Sequence, residues 1–431
     1  MADAGSGSTP PLRACIDARL VSGERGGVEQ VIIGLASAFS RFDDGDERYL
    51  FLVNPGHTAW LEPFVNGPSS LLVAGHPSAA GTGWRGLKGT VRGLEKAAVP
   101  QPVRAAIRGR RERDENVPES DGTIERAGVD VMHFPKQLGF RTAVPTIFTP
   151  HDLQHLHLPE FFTPAEIAGR ESRYRALCEA ASVVTVLSSW ARDDFIATYG
   201  LSPSKMLVIP AAAAIEAYEI PTEADVSATR ARLGLSGPFA LYPAKAWPHK
   251  NHLRLVAALK LLREHGLEVP LVLPGAQNGF EVPVLAEAEA LGVSDLVQFV
   301  GYVTPGELSA LYRTARLMVF PSLFEGWGLP VLEAMMAGLP VASSNATCLP
   351  ALAGGAAELF DPTDPEAIAG AVARLWQDDR LRERLVGAGR KRAALFSWDH
   401  SARVFRACYR KLAGRQLSAE DATLLEAPPI V

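Results

Sequence analysis

The 431-residue chain is short of the features that mark secreted, membrane-spanning or nucleic-acid-binding proteins. It has four cysteines (Cys15, Cys178, Cys348 and Cys408), scattered and without a CxxC pair. That spacing excludes a disulfide scaffold and a cysteine-based zinc site, and reads as buried thiols in a reducing compartment. No apolar run approaches the ~20 residues that span a bilayer. The opening "MADAGSGSTPP" has neither the basic nor the apolar segment of a signal peptide, so residues 1–10 are expected to be a disordered lead-in. The expected compartment is the cytoplasm. Positive charge is not in excess either: 43 Lys and Arg face 48 Asp and Glu, a net charge of −5, which argues against a nucleic-acid partner. No repeat of solenoid length is present.

What the chain does have is ordinary globular composition, 47% hydrophobic and 21% charged, in a length too great for one core. Short apolar runs alternate with longer helix-like stretches. The runs include "LRACIDA" (12–18), "RYLFLV" (48–53), "DVMHF" (130–134), "TIFTP" (146–150), "VVTVL" (183–187) and "MLVIP" (206–210). "FALYP" (239–243), "PLVLP" (270–274), "LVQFV" (296–300) and "RLMVFP" (316–321) follow. Continuous apolar strands joined by helices indicate an α/β protein with parallel sheets covered on both faces. The texture changes between "VIPAAAA" and "GPFALYP", so the expected division is a domain over 11–212, a linker over 213–237 and a second domain over 238–396. Ligands would sit at the carboxyl ends of the strands, in the cleft between the domains. The amphipathic stretch 397–413 follows as a last helix, and the tail 414–431 is expected to be loosely ordered.

The chemistry concentrates in two stretches of the second half. In "FEGWGLPVLEAM" (324–335), Glu325 and Glu333 flank Gly326, Gly328 and Pro330, and Gly338 marks a helix stop. Pro330 suits the first turn of a helix, whose free N–H groups and dipole form an anion site. The glycines let backbone approach a ligand. A phosphate there would lie between two carboxylates able to accept hydroxyl hydrogen bonds, the pattern of a sugar joined to a nucleoside diphosphate. Exposed glutamates capping a plain glycine loop are the bland alternative. In "LYPAKAWPHKNHLRLVAAL" (241–259), Lys245 and Lys250 share a loop with Trp247, His249 and Asn251. Two ammonium groups would neutralise a diphosphate, although a solvated basic loop has the same composition.

Together, "AKAWPHKN", "FVGYVTPGELSALYRTARLMVFPSLFEGWGLPVLEAMMAGLPV" and "LFDPTDPEAIAGAV" resemble the donor domain of glycosyltransferase family 4, the group 1 retaining transferases, over residues 239–396. The resemblance implies a GT-B fold: two Rossmann-like domains facing across a cleft, with the last helix crossing back to the first domain. It implies transfer of a sugar from a nucleoside diphosphate sugar to an acceptor hydroxyl with retained configuration, and no metal or other cofactor. By resemblance Glu325 holds donor-sugar hydroxyls, Glu333 holds ribose hydroxyls, and Lys245 and Lys250 hold the diphosphate. Gly326 and the backbone at Gly328 and Leu329 contact sugar or phosphate, and Tyr302 and Val303 lie by the base. Expected partners are the nucleotide sugar and an acceptor sugar, lipid-linked glycan or small molecule. The chain departs from the pattern at Lys245, where many members carry arginine, and at Ala351, where a glutamate is usual. The "WPHKNH" variant resembles members that build surface polysaccharides, often with mannose. Rival activities on the same fold are an epimerase, a phosphorylase and a non-catalytic sugar-nucleotide binder.

The first half carries weaker signals. Gly26 and Gly27 open a helix after the first strand, and in family 4 that loop faces the cleft, making Gly27 a donor contact and Gly26 an acceptor-side residue. "FTPHDLQHLHLPEFF" (148–162) packs His151, His155 and His157 together, but without HExxH spacing a hydrogen-bonding role is preferred to zinc. By resemblance His151 is the histidine that approaches the donor sugar, with Asp152 orienting it. "DGD" at 44–46 reads as a polar turn. Residues 84–126 look like a basic insertion, and 84–113 hold nine basic and two acidic residues. That segment would contact an anionic membrane surface or acceptor, or else form a solvated helix weakened by its glycines.

Overall fold

The computed structural model describes residues 10–20, 26–75, 117–213, 220–276 and 279–431. The basic segment 84–113, for which membrane contact, an anionic acceptor or a solvated helix was open, lies outside the described residues. Of the basic insertion 84–126, only 117–126 fall inside them, carrying the short helix Thr123–Arg126.

Seven strands form the first sheet: β1 (Arg13–Asp17), β2 (Arg48–Val53), β3 (Ser69–Val73), β4 (Val131–Phe134), β5 (Thr146–Phe148), β6 (Val183–Val186) and β7 (Met206–Val208). Six form the second: β8 (Ala240–Leu241), β9 (Leu271–Pro274), β10 (Val297–Gly301), β11 (Leu317–Phe320), β12 (Val341–Ser344) and β13 (Glu358–Phe360). The orders are β3-β2-β1-β4-β5-β6-β7 and β10-β9-β8-β11-β12-β13. Every strand pairing in both sheets is parallel. Helices must therefore cover both faces, which is why the central strands β4, β9 and β11 are buried at every residue.

Strand order reverses beside β1 in the first sheet and beside β8 in the second, and the crevice at such a switch is where α/β proteins bind ligands. β1 is flanked by β2 and β4, and β8 by β9 and β11. The loops leaving β1, β4, β8 and β11 carry Arg19, Lys136, Lys245 and Glu325, so the topology places these charges at the two switch points.

The helix Trp398–Leu412 crosses back to the first domain and packs on the helix Gly27–Ser40. Gly34 allows the close approach, since a Cβ there would lie 2.1 Å from the Trp398 ring. Ser401 Oγ donates to the Pro210 carbonyl at 2.6 Å, and the Trp398 indole to Ala213 at 3.2 Å. The 44–46 turn is bound to the same helix, Asp44 pairing with Arg403 at 3.2 Å and with Arg406.

The tail is more ordered than its sequence suggests. It forms the helix Ala419–Glu426, capped by Ser418 and Asp421, and Asp421 is paired with Arg410 at 2.9 Å. Asp421 is the one fully buried residue of that helix, and Leu424 and Leu425, half-buried, pack against the core beside it. Further on, the carbonyl of Val431 accepts hydrogen bonds from Ser189 N at 2.8 Å and Ser189 Oγ at 2.7 Å.

Candidate active site

The glutamate loop begins where β11 ends and runs into the helix Leu329–Ala337. Gly328 stands at the N-cap with no side chain satisfying the first turn, and Pro330 occupies that turn. Val331 and Leu332 donate to the Gly328 carbonyl and Pro330 has no N–H, so the Leu329 N–H and the helix dipole are what this terminus offers an anion. The lysine loop begins at the end of the neighbouring strand β8. Asn251 takes a left-handed conformation, φ 63°, to turn the chain into the helix His252–Glu264. Its amide donates to Pro321 O at 2.9 Å and Pro362 O at 2.7 Å. Leu323 N and Ser322 Oγ donate to the His249 carbonyl at 2.8 and 3.2 Å. These bonds fasten the two loops together and bring Lys250 Nζ to 2.5 Å from Glu325 Oε1.

Glu325 is held by its backbone. Its N–H donates to Thr347 Oγ1 at 3.2 Å, Thr347 being left-handed at φ 52°, and its carbonyl accepts from Cys348 Sγ at 3.3 Å. Glu333, one turn inside the helix, is buried, and Tyr312 OH donates to its Oε2 at 2.8 Å. Burial lifts the Glu333 carboxyl from 4.5 to about 7, against the opposing pull of the Tyr312 hydrogen bond. Lys245 is half-buried, with no ion pair recorded for it among the described residues. Its loop runs against Gly275 after β9, where a Cβ would come within 3.2 Å of Ala244 O. Burial, followed by the Lys250 charge, pushes His249 down to about 2, so the loop's cations are its lysines. At the end of β10, Gly301 turns at φ 71°, Tyr302 is 59% exposed and Val303 is buried.

Across the cleft, Gly26 caps the helix Gly27–Ser40, and a Cβ on Gly27 would lie 3.5 Å from Leu329 Cδ1. Two helix N-termini, one from each domain, therefore converge. His151 takes a left-handed conformation, φ 72°, and its Nε2 donates to the Pro135 carbonyl at 3.0 Å. That bond leaves Nδ1 as the acceptor, and burial holds the ring neutral. Asp152 caps the next turn through Gln154 N at 3.1 Å; the hydrogen-bond partner of the His151 ring is Pro135. His155 binds Glu171 at 3.0 Å and His157 binds Asp194 at 2.8 Å, so the three histidines turn to three different partners.

Several neighbours of this site carry little local signal in the sequence. Asp17, at the end of β1, is fully buried between Arg19, which binds it through two bonds of 2.9 Å, and Lys136 at 3.3 Å. Tyr312 and Thr347 escaped notice because their roles exist only through contacts formed by folding. An acidic residue ending an apolar strand, as in "RACID", is the one local hint for Asp17.

These features define a two-domain α/β protein with charged loops at the two strand-switch points. The model for Glycosyltransferase Family 4 matches residues 25–216, and that for Glycosyl transferases group 1 matches residues 228–392. The chain is 32% identical over 258 residues to the O-antigen chain mannosyltransferase B of Escherichia coli, covering 59% of this chain and 67% of that one. It is 32% identical to the MMP alpha-(1->4)-mannosyltransferase of Mycolicibacterium hassiacum, covering 57% of each. Among solved structures, sucrose-phosphate synthase from Thermosynechococcus elongatus superposes with a TM-score of 0.67 at 20% identity, over 94% of this chain and 99% of that one. Anabaena HepE in complex with UDP and glucose superposes with a TM-score of 0.68 at 18% identity, over 93% and 100%. The chain belongs to the group 1 glycosyltransferases of family 4 and has the GT-B fold. No described helix is long and apolar enough to cross a membrane.

Proposed function

We propose that the protein transfers a hexose, with mannose favoured, from a nucleoside diphosphate sugar to an acceptor hydroxyl with retention of configuration, in the synthesis of a cell-surface polysaccharide or other glycoconjugate. The observation that carries this reading is the Lys250–Glu325 pair at the β8/β11 switch, 2.5 Å apart and beside an open helix N-terminus. A donor fits this arrangement by taking both partners at once: its diphosphate replaces Glu325 on Lys250, and its sugar hydroxyls replace Lys250 on Glu325. Glu333 then holds the ribose, Lys245 adds the second positive charge, and Tyr302 and Val303 flank the base. The two mannosyltransferase relatives support the choice of sugar.

In the proposed reaction the bond from C1 to the β-phosphate oxygen breaks and its electron pair leaves with the diphosphate. The acceptor oxygen bonds to C1 from the same face, and its proton passes to the departing phosphate oxygen. Lys245, Lys250 and the helix N-terminus stabilise the charge that builds on the diphosphate, the role a metal plays elsewhere. Neutral His151, with Nδ1 free to accept, lies on the acceptor side with Gly26 and Asp152. The free, buried cysteines accord with a cytoplasmic site of action, which we propose together with peripheral membrane contact through 84–113.

A thermal-shift panel of nucleoside diphosphates and their sugars tests the donor assignment, since ligand at 100 times its Kd stabilises by ~2.7 kcal/mol. Release of nucleoside diphosphate only when an acceptor is present supports transfer. Turnover of the donor without acceptor would identify an epimerase, and a requirement for inorganic phosphate a phosphorylase. Binding without any turnover would leave a non-catalytic binder.

A further inference from the structure

Three of the four residues 324–327 of the glutamate loop are gripped from the opposite domain. Phe324 is buried, and among the described residues its ring neighbours both come from the first domain: His157, stacked with centroids 5.0 Å apart, and Trp190, edge-on at 5.3 Å. The carbonyl of Gly326 accepts from Ser188 Oγ at 3.4 Å. Its α-carbon lies so close to the His151 carbonyl that a Cβ would be 2.7 Å from that oxygen. The Trp327 indole donates to Ala211 O at 3.1 Å. Between them, Glu325 turns its side chain to its own domain, toward Lys250. The grip itself is braced: His157 is fixed by Asp194 at 2.8 Å, and Asp194 and Trp190 lie on one helix, Ser189–Tyr199.

We propose that His157, Ser188 and Trp190 are positioning residues that act through Phe324 and Gly326 to set the Glu325 carboxylate, making domain closure and placement of the donor sugar a single event. The role of Glu325 on the sugar rests on the function proposed above; the clamp itself does not. Glu325 is flanked by two clamped residues while its own backbone is tied to Thr347 and Cys348, so the closed clamp holds its carboxylate at Lys250, and opening the domains frees the residues on either side of it. The nucleotide half of the site, built on Glu333, Lys245 and the Tyr302 loop, belongs to the second domain and is indifferent to that movement.

The test uses the full chain with His157→Ala, Trp190→Ala and His157→Phe, the last restoring a ring face without the Asp194 bond. Each alanine variant should lose about tenfold to a hundredfold in kcat, the scale of a misplaced reacting group, while nucleoside diphosphate Kd by calorimetry stays within about threefold. His157→Phe should recover most of the lost rate. Unchanged kcat in both alanine variants of an active enzyme overturns the proposal. So does a parallel loss of kcat, Kd and melting temperature without rescue by phenylalanine, which would mark plain structural support. Hydrogen exchange reads the clamp with no substrate at all. In the double alanine variant the amides of 324–327 should exchange about tenfold faster or more, with β12 unchanged. Equal exchange overturns the clamp even if the protein proves not to be a transferase, whereas faster exchange in a protein without turnover sinks only the catalytic reading.

Discussion

On the second-domain wall of the cleft, Lys250 and Glu325 hold each other at 2.5 Å, each with less than a fifth of its side chain exposed, and Glu333 is bound by Tyr312. On the first-domain wall, Asp17 is sealed between Arg19 and Lys136, and Lys136 also donates to the Arg19 carbonyl at 2.5 Å. Both walls carry charge at a strand-switch point, but they use it differently. In the function proposed above, the second-domain charges exchange partners with a ligand that offers phosphate and hydroxyls together. Those of the first domain are consumed internally and fix the shape of the loops around them. One wall is poised for exchange and the other is a scaffold, so substitutions should separate function from stability according to the wall they touch.

The largest expected effect is on the scaffold wall. Asp17→Ala leaves Arg19 and Lys136 without their buried counter-charge and should cost about 3–5 kcal/mol of folding stability. Burial alone would raise the Asp17 carboxyl, but its Arg19 hydrogen bonds, with Lys136 nearby, hold it below the ordinary carboxylate value. A depressed acid stabilises the fold above its unfolded pKa, so this contribution is present at neutral pH and fades as pH falls below about 4. Chemical denaturation should show the loss, with nucleotide affinity near wild type at a temperature where the variant is folded. A variant as stable as wild type would break the comparison on this side.

Next is Lys250→Ala on the poised wall. Removing a donor aimed at a developing charge costs about 10²–10³ in kcat. Stability should change less than in Asp17→Ala, because both side chains of this pair keep some contact with solvent while Asp17 is sealed. A variant that keeps kcat within tenfold of wild type would show that the pair is structural and that the two walls are alike.

The unequal visibility of the two walls in the sequence has the same origin. Ten strands could be read directly because each is a continuous apolar run, as full burial in a parallel sheet demands. Those not singled out, β3, β12 and β13, are "SSLLV", "VASS" and "ELF", half-polar and in two cases at a sheet edge, where one neighbour suffices. The charged residues of the second-domain wall could be picked out because they sit in two unbroken stretches, 245–251 and 325–333. His151 was legible, but its partner was not: Asp152 adjoins it in sequence, yet the carbonyl of Pro135, sixteen residues away, takes the hydrogen bond. Tyr312, Thr347 and Trp190 act only through contacts between distant segments, and one sequence does not record those.

Glu333→Ala ranks third. If the carboxylate holds the ribose, nucleoside diphosphate binding should weaken by about 1.5–3 kcal/mol, the value of a charge-assisted hydrogen bond in a closed site. Unchanged affinity by calorimetry would remove Glu333 from the poised wall.

The smallest effect is the sharpest, because it follows from burial alone. Glu333 titrates at about 7 in the free protein, so near neutral pH a sizeable fraction is protonated. Ribose hydroxyls donate hydrogen bonds and therefore favour the carboxylate, which lowers its pKa in the complex, so binding releases a proton. Below pH 7 part of the binding energy is then spent on deprotonation. Affinity should rise with pH up to about 7 and level off above it, by up to about tenfold for each unit by which the pKa falls on binding. Phosphate ionisation near pH 6 adds its own dependence, so the comparison is with Glu333→Gln, which keeps an oxygen for Tyr312 but cannot titrate. The difference between the two pH profiles isolates Glu333. If the profiles run parallel from pH 5.5 to 8.5, the buried carboxylate plays no part in holding the nucleotide, and exchange of partners on the donor wall is confined to Lys250 and Glu325.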